Sequence, residues 1–376
     1  MRNQYLFLLQ HLTLYKNSLL SLNEFEYIKH PDFKSLKKEE FLSLQLACCS
    51  DASSLCKVLH EDITTVQKNI AEPIYREFAI PRKKGKMRTI QAPADDLKRI
   101  QEKINLFLQA IYECIAPACA KGFRKNFGHK PSAHSIIENA AQHLNKTHLL
   151  NIDIKDFFAS VTDKKVLKLF RSKLFHWPEN IAQAMTLLVT YKNMLPTGSP
   201  CSPVISNLIC LSLDAELMKL SDSYHITYTR YADDLSFSGM HEISKDFLKQ
   251  VESILQENGF QVNTSKIRWQ TKHQKQKVTG IKVNNKLNVE RTFYRNLRAM
   301  IHSLEKDGEK KAAAKHFGKE SVSAFMVDKF ICKINGMLSF MKSVRGEKDA
   351  LYRRLKRKWR EQEKRMEEGI SFSMEE

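Results

Sequence analysis

Three acidic residues set in apolar, β-prone sequence constrain this chain more than any other feature. Asp153 lies within His148–Phe158, HLLNIDIKDFF, a short apolar run with alternation that predicts a strand ending in a turn. Asp233 and Asp234 lie within Ile226–Ser238, ITYTRYADDLSFS, two β-rich runs that predict a hairpin with the acids at its tip. A carboxylate in a buried strand is costly unless it is paired or bound to a metal. Two adjacent acids in a tight turn repel, and one takes up a proton unless a cation relieves them. Taken singly, Asp153 reads as a strand-end acid and the Asp-Asp pair as a solvated loop. Taken together in matched strand contexts, three acids converging from two strands suit a two-metal phosphoryl-transfer site, because Mg²⁺ takes one or two carboxylates plus substrate phosphates.

Around these acids the charge has the opposite sign. Of 376 residues, 61 are Lys or Arg and 42 Asp or Glu, a net +19 that points to a polyanionic partner. Residues 266–286 carry seven basic side chains and no acidic one, and residues 351–360, LYRRLKRKWR, carry six in ten. A further basic stretch, Arg82, Lys83, Lys84, Lys86 and Arg88 broken by Gly85, has the composition of a hairpin with a cationic tip. A length of about 150 residues per domain predicts two or three compact units. Residues 1–70 read as helical, Leu97–Ile111 has helical spacing, Pro200–Leu220 reads as one long apolar helix with Ser202 or Ser206 near its cap, and the chain after Glu290 is helical to its end. No apolar run reaches the ~18 residues of a membrane span, and the apolar Tyr5–Leu9 lacks the pattern of a signal peptide. The eight cysteines include no CxxC and, with the histidines at 129, 134, 143 and 148, fit no zinc spacing, so they read as thiols in a reducing compartment.

Tyr231-Ala232-Asp233-Asp234, preceded by NIDIKDFF and LPTGSPCSPVISNL, resembles the reverse transcriptases, specifically the bacterial retron type. Asn139-Ala140-Ala141-Gln142-His143 looks like the NAxxH motif of retron enzymes, and Val278-Thr279-Gly280 like their VTG triplet. These ordered blocks run from about Tyr75 to Tyr352. The resemblance implies an α+β right-hand polymerase with an antiparallel palm sheet: a helical N-terminal region at 1–70, fingers at 71–149, palm at 150–290 with a fingers insertion near 160–195, and a thumb with a basic RNA-binding region at 291–376.

It also implies roles residue by residue. Asp153, Asp233 and Asp234 would be catalytic and would hold two Mg²⁺ ions together with the Ile154 backbone carbonyl. Arg88, with Lys86 in support, matches the fingers residues that grip a triphosphate. Phe158 falls where similar enzymes place the ring that excludes a 2′-OH, with Phe157 as the other candidate. Gly198 in LPTGSP would approach the nucleotide through its backbone, whereas Thr197 replaces a Gln common in relatives. Lys266 sits where the family has a lysine near the nucleotide, though it also reads as an ordinary surface lysine. Arg124 would contact template; Asn139, His143, Val278, Thr279, Gly280, Arg353, Arg354, Arg357 and Lys358 would contact nucleic acid. Tyr352 and Trp359 read either as stacking platforms or, more simply, as rings packed on the thumb. The implied reaction uses dNTPs to copy part of a cognate structured noncoding RNA, which serves as template and primer, into a branched RNA–DNA molecule (msDNA). That reaction would take place in the bacterial cytoplasm, within an anti-phage defence system with an effector protein. The rival readings are a group II-like or abortive-infection polymerase of the same fold, and an RNA–DNA-binding scaffold that restrains an effector.

Overall fold

The structure, a computed structural model, describes Ile28 and residues 36–81, 87–128 and 134–368. The cationic tip Arg82–Lys86, with the triphosphate contact expected of Lys86, and the segment Tyr5–Leu9 lie outside the described residues. The chain divides into two compact units: residues up to Ser135 with Leu150–Trp269, and Ile136–Leu149 with Gln270 onwards. Residues 136–149, expected in the fingers, and 270–290, expected in the palm, thus pack with the C-terminal helices.

In the first unit, helices α1 (Lys38–Ala47), α2 (Ala52–Leu59) and α3 (Ile63–Ala71) precede a hairpin of β1 (Tyr75–Pro81) and β2 (Met87–Pro93). Its strands pair antiparallel, with Ile80 opposite Arg88. Helix α4 (Asp95–Ile115) buries Leu97, Ile100, Ile104, Phe107, Leu108 and Ile111, the stripe that its spacing predicts, and carries Asp95 and Asp96 in its first turn, where the helix dipole favours anions.

Strand β3 (His148–Asp153) is buried from Leu149 onwards. Helices α6 (Asp163–Phe170) and α7 (Glu179–Val189) follow it, α5 (Ile136–Ala141) having come before. The single helix expected over Pro200–Leu220 is two, α8 (Ser202–Ile209) and α9 (Leu211–Ser223), because Cys210 leaves helical geometry at φ −79°, ψ 3°. Neither expected serine caps α8 through its side chain: the Ser202 hydroxyl donates to the Pro196 carbonyl and that of Ser206 to the Pro203 carbonyl. Strands β4 (Thr227–Tyr231) and β5 (Asp234–Gly239) form the expected hairpin, α10 (Lys245–Glu257) follows, and with β6 (Arg268–Thr271) the sheet runs β4-β5-β3-β6. One apolar core, including Ile152, Phe157, Val204, Leu213, Leu235, Phe237 and Phe247, backs this sheet and reaches α4.

The second unit holds the small hairpin β7 (Lys277–Val278) and β8 (Ile281–Lys282), then α11 (Arg291–Phe317), α12 (Ala324–Arg345) and α13 (Ala350–Glu367). Helix α11 bends at Gly308, whose φ of 73° is outside the helical region. Leu297, Ile301, Phe330, Ile334, Leu338, Leu355 and the fully buried Trp359 form the core of the three helices. Tyr352 and Trp359 are therefore packing residues rather than exposed platforms. None of the eight cysteines is in a disulfide, and no helix among the described residues is long and apolar enough to cross a membrane.

Candidate functional site

Hydrogen bonding brings the first acid and the acidic hairpin together. Asp153 ends β3, and the next residue, Ile154, donates its N–H to the Asp233 carbonyl at 2.9 Å. The sequence achieves this locally because a two-residue loop, Ala232-Asp233, joins Tyr231 to its pair partner Asp234. Ala232 takes a left-handed φ of 59°, which costs a non-glycine residue about 1–2 kcal/mol. Gly122 packs beneath this tip: a Cβ there would lie 2.7 Å from the Ala232 nitrogen.

Asp153 is 9% exposed. Its carboxylate accepts from the Asn263 amide at 3.2 Å and from the Lys266 ammonium at 2.8 Å on both oxygens, and the Asn263 N–H donates to its carbonyl at 2.8 Å. The hairpin acids are half-buried and electrostatically coupled to it. Burial, then the charge of Asp153, raises the Asp233 carboxyl above its ordinary value, while Lys266 and Arg88 oppose the rise. Asp234 is pushed up to about 6 by burial and then by Asp233 and Asp153, against the pull of Arg268 and Lys266. Thus Lys266 and Arg88, both read as nucleotide contacts, bring positive charge to the acids, and Arg268 joins them.

Among the described residues no three acidic, histidine or cysteine side chains are grouped tightly enough to hold a metal ion as they stand. The donor set nevertheless fits a hard divalent cation. All of its donors are oxygens, two carboxyls are driven towards protonation by burial and then by their acidic neighbours, and the third already binds a cation, the Lys266 ammonium. A bound metal would have to displace that ammonium from Asp153.

The two adjacent phenylalanines separate clearly. Phe157 is buried and packs against Phe260 with ring centroids 5.8 Å apart, whereas Phe158 is half-buried and stacks on Phe123 at 5.9 Å. Gly198 packs closely on β2: a Cβ there would sit 2.6 Å from the Gln91 carbonyl, to which the Gly198 N–H donates at 3.1 Å, so this contact by itself calls for a glycine. Thr197 is committed to the same strand through Thr89 and Gln91.

The template contact implied for Arg124 is not open to its guanidinium, which is 8% exposed, donating from Nε and Nη2 to Glu113 and from Nη1 to the Ala120 carbonyl. Asn139 of α5, His143 in the turn after it and Val278 of β7 are likewise enclosed, so their side chains support a surface rather than form one. Burial, and then the charge of Lys146, holds the His143 imidazole down to about 3, which keeps it neutral. Between β7 and β8, Thr279 and Gly280 both take positive φ, 46° and 85°, and the Thr279 hydroxyl donates to the Ile136 carbonyl at 3.1 Å. A β-branched residue in that region is strained, a feature that concentrates at functional sites. On α13, Arg353, Arg354 and Arg357 are exposed, while Lys358 is half-buried and donates to Glu305 at 3.0 Å.

Sequence reasoning passed over Asp214, Asn207 and Arg230, which support the hairpin tip from within the core. The available signal was Arg230 itself, a charged residue inside an otherwise apolar and hydroxylic strand.

Comparison with known proteins shows the family. The family described as reverse transcriptase (RNA-dependent DNA polymerase) matches residues 80–283. The retron Ec86 reverse transcriptase of Escherichia coli is 32% identical over 285 residues, covering 72% of this chain and 84% of that protein. The retron Mx65 reverse transcriptase of Myxococcus xanthus is 32% identical over 261 residues, covering 64% of this chain and 58% of that protein. Among solved structures, telomerase from Candida albicans with a fragment of telomeric RNA gives a TM-score of 0.44 at 10% identity, over 78% of this chain and 64% of that one, too loose a match to argue from.

Proposed function

The chain belongs to the reverse transcriptase family, in its retron branch, and from that premise we propose that it copies part of a cognate structured noncoding RNA into a branched RNA–DNA product. Such a system would act in the cytoplasm against phage, alongside an effector protein. As an RNA-directed DNA polymerase it takes an RNA template. The observation that carries the site assignment is the bond from Ile154 to the Asp233 carbonyl, which ties the first acid to the hairpin acids in one electrostatically coupled group.

In this reading the carboxylates of Asp153, Asp233 and Asp234, with the Ile154 carbonyl, would hold two Mg²⁺ ions, which would supply acidity to the primer hydroxyl and positive charge to the triphosphate and pyrophosphate. Arg88 offers a planar fork to phosphate oxygens, joined by Lys86. Lys266, once displaced from Asp153, leaves its ammonium beside the reacting phosphates. The Phe158 ring lies under the sugar and collides with a 2′-OH. Thr279 and Gly280 at the strained turn, and Arg353, Arg354, Arg357 and Lys358 along α13, contact RNA phosphates.

Nucleic acid that copurifies with the wild-type protein tests this function. Sensitivity to RNase, DNase and debranching enzyme together is the expected result. DNA with no attached RNA would overturn the branched product, and the absence of DNA would overturn synthesis in the cell.

A further inference from the structure

Arg230 lies two residues before the hairpin tip with its side chain wholly enclosed, as is that of Asp214. Its guanidinium uses three directions at once. Nε and Nη2 donate to the two Asp214 oxygens at 2.8 and 2.6 Å, and Nη1 donates to Asn207 Oδ1 at 2.8 Å and to the Ala232 carbonyl at 3.3 Å. The Asn207 amide continues the chain by donating to the Gly122 carbonyl at 2.9 Å. The backbone is fixed as well: the Arg230 N–H donates to the Cys119 carbonyl and the Lys121 N–H to the Arg230 carbonyl, each at 2.9 Å.

A buried ion pair is weak evidence for stability, since well-packed apolar residues often serve as well. A rigid fork spread over separate acceptors does something apolar residues cannot, which is to fix directions. The Ala232 carbonyl belongs to the planar peptide group that leads into Asp233. The peptide group that leaves Asp233 is held by the Ile154 N–H. Both planes flanking the acid are therefore tethered, and Gly122 closes the third side at a distance that admits no Cβ.

We infer that Arg230 is a positioning residue for polymerisation. With Asp214 and Asn207 it sets the peptide plane before Asp233, and thereby the direction of the Asp233 carboxylate. Its charge is matched by Asp214, so it orients the acid through geometry rather than by neutralising it.

The test compares Arg230→Lys with Tyr228→Phe. The Tyr228 hydroxyl donates to the same Asp214 at 2.9 Å and makes no bond to the tip, so Tyr228→Phe weakens the network without releasing Ala232. Primer extension on a plain RNA template with an annealed DNA primer is measured well below each melting temperature. Arg230→Lys keeps a cation for Asp214 but loses the fork; kcat is expected to fall about a hundredfold, the scale of a small misplacement of a reacting group, with KM for dNTP little changed. Tyr228→Phe is expected to lower the melting temperature and leave kcat intact. Gly122→Ala keeps the ion pair and displaces Ala232 from the other side, and it is expected to reproduce the kcat loss even if Arg230→Lys does not fold. A folded Arg230→Lys enzyme with wild-type kcat would overturn the inference. So would kcat losses that follow melting temperature across all three variants, or Gly122→Ala with full kcat.

Discussion

The acidic hairpin of the first unit and the basic helix α13 of the second solve opposite electrostatic problems. At the hairpin, like charges are crowded into partial burial; the Ile154 N–H ties the Asp233 carbonyl to β3, where Asn263 and Lys266 hold Asp153. On α13, like charges are spread along an exposed helix face whose other side buries Tyr352, Leu355 and Trp359. The first arrangement holds unfavourable energy that a bound divalent cation would relieve. The second holds almost none, and under the proposed function it would gain affinity by releasing counterions from a phosphate backbone. A single substitution should therefore be decisive at the hairpin, whereas on the helix only several together should matter.

On the helix side of this contrast the largest expected effect is on RNA binding. Replacing Arg353, Arg354, Arg357 and Lys358 together by Gln should weaken binding of cognate RNA roughly a hundredfold and flatten its log–log salt slope by about 3. Filter binding across a salt series reads both, and an unchanged slope would remove α13 from the footprint. Lys358 should contribute least, because it is already held by Glu305.

At the other region, Phe158→Ala should reduce discrimination against rNTPs about tenfold or more, while Phe157→Ala should chiefly destabilise the core. Single-nucleotide incorporation with dNTP and rNTP pairs distinguishes the rings, and unchanged sugar selectivity in Phe158→Ala would assign the steric role elsewhere.

The smallest effect is a pH dependence special to the hairpin. Asp234 binds its proton more tightly in the folded state, with a value of about 6. The contribution of Asp234 to the stability of the metal-free protein should therefore be full below pH ~4 and fall, by on the order of 1–3 kcal/mol, as pH rises through about 6. Asp234→Asn should abolish that loss in chemical denaturation run without divalent ions. A slope that survives the substitution would show that other groups titrate there.

What the sequence discloses follows the same division. Periodicity is enough to place α4, β3 and the acidic hairpin, since each is specified by neighbours in the chain. Contacts between distant residues are not legible in that way. Arg124 looks like a free cation until Glu113 is seen beside it, and nothing near Gly198 in the chain announces its close packing on Gln91. The break at Cys210 has no proline or glycine to announce it. Asn139 and His143 carry polar side chains in a motif, yet both are enclosed, because α5 packs against β7 and β8. The tether under Asp233 depends on Asp214 and Asn207, which precede Arg230 in a different pair of helices.

Binding of Mn²⁺ as a substitute for Mg²⁺, followed by electron paramagnetic resonance in the presence of dNTP, tests the central claim most directly when wild type, Asp153→Asn and Asp233→Asn are compared. The three-carboxylate account predicts that both substitutions remove tight Mn²⁺ binding and reduce primer extension by at least about 10³-fold, the scale of losing one preorganised charge-stabilising group, while RNA binding is kept. Undiminished Mn²⁺ binding in Asp153→Asn, or DNA synthesis that persists in Asp233→Asn, would contradict it.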